Sequence, residues 1–280
     1  MRYCPRSIMK LAFQDAPDGL LSLSATKLLT YKRCPQAYSF KYERGLTSPS
    51  AFGSPKFGNA LHGALADIYR DWNYAYPLPS LDWFAICWQQ HTGELSSTQI
   101  HEGWMALQLY YERYMAPLPQ IRKPLGVEGK IKANFQVNNI EFSLAGHYDR
   151  LDYFGDGLEL IDYKTSKIVK PSDGIDWQLG LYNLILEQTY HQALQRLSLI
   201  YLRQGQRITY DVTPEHHRQV RELIGDLAVK LRIDQEWEPE VGGHCVRCGY
   251  QKYCPAKSEK LEPIPEGAKE GRQMQLVLGL

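Results

Sequence analysis

Asp162 and Lys164 close the run LELIDYKTSK, in which an apolar stretch ends by setting a carboxylate and an ammonium two residues apart. On a strand such residues share one face, at the end that a cleft can reach. Asp149, in the upstream segment GHYDR, comes alongside Asp162 if the two segments pair antiparallel. Converging carboxylates repel unless a divalent cation lies between them, and hard cations such as Mg2+ or Mn2+ prefer oxygen ligands. Lys164 then stands where it can hold or help deprotonate a water while the metal stabilises charge on a phosphoryl oxygen. An exposed Asp–Lys pair is the bland alternative, and for the two residues alone it is the commoner one. The neighbourhood outweighs it: Gln178 and Tyr182 follow at i,i+4 spacing, on one face of the next helical stretch.

The cysteines form a second constellation. Cys245, Cys248 and Cys254 make a compact C-x2-C-x5-C set, and Cys34 lies far upstream. Four thiolates can hold zinc or an iron–sulfur cluster, and spacing alone makes zinc the default. Cys4 and Cys87 fall outside the pattern, and Cys87, in a Trp- and Phe-rich stretch, reads as a core residue.

Composition narrows the class of protein. A chain of 280 residues, 44% hydrophobic and 12% aromatic, can bury a substantial core, and no apolar run approaches the roughly 18 residues of a membrane span. The opening MRYCPRSIMKLAF lacks the apolar core of about 7–15 residues of a secretory signal, which places the protein in the cytoplasm. There thiols stay reduced, so six cysteines favour ligation over disulfides. A net charge of +1 neither requires nor forbids a polyanionic partner, because a neutral total can hide a basic groove.

The elements that must position these residues are legible in outline. Ser24 reads as the N-cap of a helix through SATKLLTYKR, and a second helix starts at Pro35 and ends near Gly45. Phe57, Leu61, Leu65, Ile68 and Trp72 recur at helical spacing, and two more helices fall around 81–91 and 97–115. After Pro124 the period changes: GVEGKIKANFQV, IEFSLAGHYDRLDYF and GLELIDYK read as three antiparallel strands joined at Asn138-Asn139 and Gly155-Asp156-Gly157. A helix through IDWQLGLYNLILEQ, a strand RLSLIYLR, a hairpin into RITYDV and a long helix over 214–236 follow. Residues 1–20 read as a weakly ordered extension and 257–280 as a tail.

The motifs LSATKLLTYKRCPQAYSFKYERGL, FGNALHGAL, VEGKI, AGHYDRLD, LELIDYKTSK, WQLGLYNLIL and CVRCGYQKYCP come in an order that resembles the PD-(D/E)XK nuclease superfamily. The likeness is to its RecB-like exonucleases, which include CRISPR-associated exonucleases, and it covers residues 21–256 as one nuclease domain. It implies an α/β fold, a central mixed sheet flanked by helices, with an α-rich N-terminal part and an iron–sulfur stapled C-terminal segment. It also implies that Asp149 and Asp162 are metal ligands, that Lys164 is the catalytic lysine, and that His62 and Tyr163 belong to the metal site. Glu128 matches an acidic position that assists metal or water, and Gln178 and Tyr182 match an element that contacts DNA or organises the site. Without the resemblance His62 would read as a packed histidine, with His147 as its local competitor. Two departures stand out: no Pro precedes Asp149, and the middle acid is Asp162 in place of Glu. Both variations occur among RecB-like members.

For the cysteines the resemblance favours a four-iron four-sulfur cluster on Cys34, Cys245, Cys248 and Cys254, stapling the first helix to the C-terminal segment. The function implied is a Mg2+- or Mn2+-dependent DNA exonuclease acting on single-stranded ends in repair, recombination or CRISPR adaptation. The alternative is a catalytically silent DNA-binding or assembly subunit. DNA contacts are expected from Lys27, Lys32, Arg33, Lys41, Arg44 and Arg150, with Tyr31, Tyr38 or Tyr42 stacking on bases. At the C-terminus, Gln275–Leu280 reads as a strand or plug on the protein's own surface, or by resemblance as a peptide for the bacterial sliding clamp.

Overall fold

The computed structural model describes residues 21–47, 55–137, 140–169, 177–190, 194–265 and 268. The Asn138-Asn139 turn, the 1–20 extension and the Gln275–Leu280 segment lie outside the described residues. Two compact units divide the chain, one from Met1–Ala51, Asn134–Leu144 and Gly225–Leu280, the other from Phe52–Ala133 and Ala145–Ile224.

The first unit opens with a short strand that periodicity did not announce, β1 (Leu21–Ser24). Helix α1 (Ala25–Arg33) starts where expected, because the Ser24 side chain accepts the Lys27 N–H at 3.3 Å and so satisfies one of the four free donors at a helix start. Cys34 then separates it from α2 (Pro35–Tyr38), which continues as a π-helical turn to Glu43 and stops before Gly45, φ +67°.

The second unit carries the sheet. Its helices α3 (Pro55–Arg70), α4 (Leu81–Gln90) and α5 (Ser97–Tyr110) begin the run, with Ser80 and a Ser96–Gln99 capping box setting the starts of the last two. Phe57, Leu61, Leu65 and Ile68 of α3 are buried as the apolar stripe requires. Four strand boundaries follow the alternation closely: β2 (Gly126–Val137), β3 (Ile140–Phe154), β4 (Gly157–Lys164) and, two residues earlier than its apolar run, β5 (Leu194–Tyr201). Helix α6 (Trp177–Tyr190) makes the crossover between β4 and β5, and β6 (Gln206–Asp211) closes a hairpin. The order β3-β4-β5-β6 has β4 antiparallel to β3 and parallel to β5, a mixed sheet, and β2 pairs with β3.

β4 is buried over its whole length except Lys164, which explains its near-continuous apolar sequence: a central strand has both faces covered. Gly155 takes φ +59° in the β3–β4 turn. One face of the sheet packs Ile161, Tyr163 and Ile200 against α3, α4 and α5. Within that core Arg150 is buried, donating to the hydroxyls of Tyr110 (2.9 Å) and Tyr163 (2.8 Å), pairing with Asp152 and lying 4.0 Å from the Tyr69 ring centre. The expectation that Arg150 meets DNA therefore fails: in a desolvated site a guanidinium is kept only by such partners.

The chain re-enters the first unit along α7 (Pro214–Ile233). There Tyr31 donates to Asp234 at 2.8 Å and Tyr38 stacks on Trp237, ring centres 5.5 Å apart. Of the late cysteines, Cys245 lies within a short 3-10 turn, Gly243–Arg247, which Cys248 caps, and Cys254 caps a second, Gln251–Tyr253. Among the described residues no helix is long and apolar enough to cross a membrane.

Candidate active site

The site forms where two strands part. The β3–β4 ladder runs from Phe154↔Gly157 to Arg150↔Ile161. At the next position of β3, the Asp149 Oδ2 accepts the Tyr163 N–H at 2.6 Å, so a carboxylate is wedged into the fork. Its other oxygen accepts from His62 Nδ1 of α3 at 3.1 Å. Glu128 Oε1 of β2 lies 4.0 Å from the same nitrogen. The ligand atoms of His62, Glu128 and Asp149 fall within 4.8 Å of one another. Glu128 adopts φ +49°, a left-handed conformation that costs a residue with a Cβ roughly 1–2 kcal/mol and is retained where the side chain's aim matters.

Asp162 and Lys164 sit together on the β4 end, Nζ to Oδ2 at 2.6 Å. Gln178 of α6 braces both: its Nε2 donates to Asp162 Oδ1 (3.4 Å) and to the Tyr182 hydroxyl (3.0 Å), while its Oε1 accepts from Lys164 Nζ (3.5 Å). The i,i+4 spacing of Gln178 and Tyr182 is thus a contact within one helix face. Gly146 makes room for it, since a Cβ there would stand 2.4 Å from Tyr182 Cε1.

Burial and mutual repulsion set the protonation of this cluster. Burial above all, with Asp149 adding to it and Lys164 opposing, pushes the Asp162 carboxyl up to about 6. Glu128 is raised by burial and by Asp149. For His62 burial disfavours the charged ring, but Asp149, with Asp162 and Glu128 behind it, outweighs that and lifts its pKa. Carboxylates held at such cost are the groups a divalent cation neutralises.

A cavity of about 570 Å3 opens on the His62 side, lined by Glu128, Asp149 and His147 among others. His147 pairs with Glu128, Nδ1 to Oε2 3.2 Å, leaving His62 as the histidine against Asp149. The Tyr163 phenol points to Arg150 and Tyr110, so any part it takes at a metal falls to its main chain. Asp67 and His91, joined at 2.6 Å in the same cavity, went unnoticed in the sequence because the pair forms only when α3 and α4 pack. In the first unit Tyr31 and Tyr38 are core residues, whereas Tyr42 is half-buried with the Lys27 and Lys41 ammonium groups 5.8 and 5.0 Å from its ring centre. Cys34, Cys245, Cys248 and Cys254 line one cavity, and Cys87 is buried apart from them, as expected.

These features define a class. The sequence pattern of the PD-(D/E)XK nuclease superfamily matches residues 22–255, and the chain belongs to that superfamily, whose nucleases use divalent metals. It is 29% identical over 204 residues to one subunit of an ATP-dependent helicase/deoxyribonuclease from Carboxydothermus hydrogenoformans, covering 60% of this chain and 18% of that one. The chain therefore spans less than a fifth of that relative's length. A crystal structure from Eubacterium rectale, assigned provisionally as an exonuclease, shares 13% identity over 87% of this chain and 91% of its own, with a TM-score of 0.48.

Proposed function

We propose that the chain is a Mg2+- or Mn2+-dependent DNA exonuclease acting on single-stranded ends in repair, recombination or CRISPR adaptation. The observation that carries this reading is the convergence of His62, Glu128 and Asp149 beside the Asp162–Lys164 pair. The donor set is two aspartates, a glutamate and an imidazole, which suits a hard or borderline divalent ion. His62, Asp149 and Asp162 would hold it, with Glu128 assisting. When bound, such an ion supplies positive charge for the phosphoryl oxygens and acidifies water. Lys164, held in line by Gln178, which also fixes Asp162, would offer its ammonium to the attacking water. Tyr182 anchors Gln178 from behind.

Anaerobically purified protein should shorten end-labelled single-stranded DNA with Mn2+ present, and Asp162→Ala should not. Equal products from the two proteins would overturn the reading, and DNA binding without cleavage by either would favour a silent, non-catalytic role. Gly146→Ala tests the brace: the new methyl must displace the packed Tyr182 ring, and a shift of about 1 Å in a positioning group costs up to roughly 100-fold in rate. The expected result, in single-turnover assays, is a tenfold or larger loss with the folded state retained.

In the first unit, Cys34, Cys245, Cys248 and Cys254 would hold a four-iron four-sulfur cluster. Their cavity is largely apolar, with Phe40 and Tyr250 in its wall, and the Cys248 thiol is raised by burial and by the three other thiols beside it. Tethering to a sliding clamp through Gln275–Leu280 rests on sequence alone, and deleting 273–280 should abolish clamp capture in a pull-down without changing cleavage of short oligonucleotides.

A further inference from the structure

A second cavity, of about 410 Å3, lies in the second unit on the sheet face that carries Arg150. That volume is within the range of about 300–1,000 Å3 for small-molecule sites. Its floor is set by strand register: Asp152 faces Glu159 across β3–β4, and Ile200 faces Arg207 across β5–β6. These share the face of Ile161, whereas Asp162 alternates to the other side, so the cavity and the Asp162–Lys164 pair are on opposite faces of the sheet.

The floor is charged, on the face that also packs Ile161, Tyr163 and Ile200 into the core. Arg150, 7% exposed, holds Asp152 at 3.0 Å, and Glu159, 6% exposed, is held by Arg207 and by Ser198 Oγ at 2.5 Å. Both carboxylates are thereby neutralised within the protein. Arg113, Arg122 and Lys123 stand exposed at the mouth, and neither Arg122 nor Lys123 has an ion-pair partner among the described residues. Positive charge is therefore in excess at the mouth. Tyr114 is half-buried in the wall. At the floor the Arg150 Nε and the Asp152 Oδ1 are buried without hydrogen-bond partners, a donor and an acceptor in one ion pair. Native structures rarely leave such atoms unmatched unless water or a ligand completes them.

We propose that this cavity is a second ligand site that takes a nucleoside monophosphate, with the phosphate on Arg122, Lys123 and Arg113, the base against Tyr114, and its polar edge toward the Arg150–Asp152 pair. An anionic head, a flat ring and an edge with both donor and acceptor answer the three parts of the lining. The choice of nucleotide rests on the nuclease reading, because cleavage at strand ends releases mononucleotides. The site would hold that product away from the catalytic carboxylates.

Calorimetric titration of the whole protein with dAMP, in chelator so that the catalytic site holds no divalent ion, tests the site independently of cleavage. Wild type and Asp162→Ala should bind dAMP equally, while an Arg122→Glu/Lys123→Glu double variant, altered only at exposed positions, should bind at least tenfold more weakly. Deoxyadenosine and inorganic phosphate, each lacking half of the ligand, should both bind more weakly than dAMP. The proposal is overturned if folded wild type fails to bind dAMP at millimolar concentration, if the double variant binds as wild type does, or if Asp162→Ala abolishes binding. Absence of cleavage by wild type, with dAMP binding intact, would sink the nuclease reading and leave the site standing.

Discussion

Asp162→Asn is expected to lose at least about 1,000-fold in DNA cleavage and yet to melt at a higher temperature than the parent when both are metal-free at pH 7. Burial lifts the Asp162 carboxyl to about 6, against an ordinary value near 3.9. The folded state therefore binds the proton more tightly than the unfolded chain. Stability from this group is complete below pH of about 3.9 and is lost as pH rises through about 6. At pH 7 the ionised carboxylate costs the metal-free fold on the order of 1–3 kcal/mol, which the neutral amide removes. Acidifying from pH 7 to 5 should accordingly close part of the gap between parent and variant. Adding Mn2+ should reverse the order, since only the parent gains binding free energy in proportion to the logarithm of metal concentration. Thermal melts at pH 5 and 7, with chelator and with Mn2+, read all three effects. If the variant is the less stable protein without metal at pH 7, Asp162 serves as Lys164's structural partner and its place as a ligand falls.

What the sequence disclosed and what it withheld differ by the range of the interactions. The extents of β2, β3 and β4 follow from alternation and turn residues, which are local, and the Ser24 cap bonds within three residues. The carboxylate–lysine pair was visible because strand geometry alone puts Asp162 and Lys164 on one face. Its brace was visible because Gln178 and Tyr182 are one turn apart. β1 was not, since four residues are too few for a period to register. Nor was the fate of Arg150: beside Asp149 in sequence, it reads as a basic residue at the cleft, but its neighbour's face is the catalytic one and its own is the core. The Asp67–His91 pair needs two helices to dock, and a stretch read one residue at a time carries no sign of it. Tyr31 and Tyr38 illustrate the same limit, because an aromatic on a helix is equally fit to stack on a base or on Trp237.

With the proposed cluster on Cys34, Cys245, Cys248 and Cys254, Cys245→Ser should bleach a broad absorption near about 400 nm and destabilise the first unit far more than it slows chemistry per folded molecule. The segment it belongs to has little else to hold it. Its two 3-10 segments are five and three residues long, too short to persist unaided, and the apolar set around them is small: Cys34, Ala37, Phe40, Leu46, Tyr250 and Cys254 are its buried members. Against this stands the entropy of bringing Cys34 to cysteines more than two hundred residues away, a closure that for a 100-residue cross-linked loop is already worth about 4.7 kcal/mol. Losing one of four ligands should therefore lower stability by about 3–5 kcal/mol, seen as a fall in denaturation midpoint. Cys87→Ser is the control, because that thiol is buried in the helical core of the second unit and its loss should leave the colour untouched. His62, Glu128 and Asp149 take no ligand or brace from the cysteines, so Cys245→Ser protein assayed below its midpoint with Mn2+ should cleave within about tenfold of the parent rate. Stoichiometric zinc without iron in the parent would sink the cluster, and an unchanged midpoint in Cys245→Ser would sink the staple.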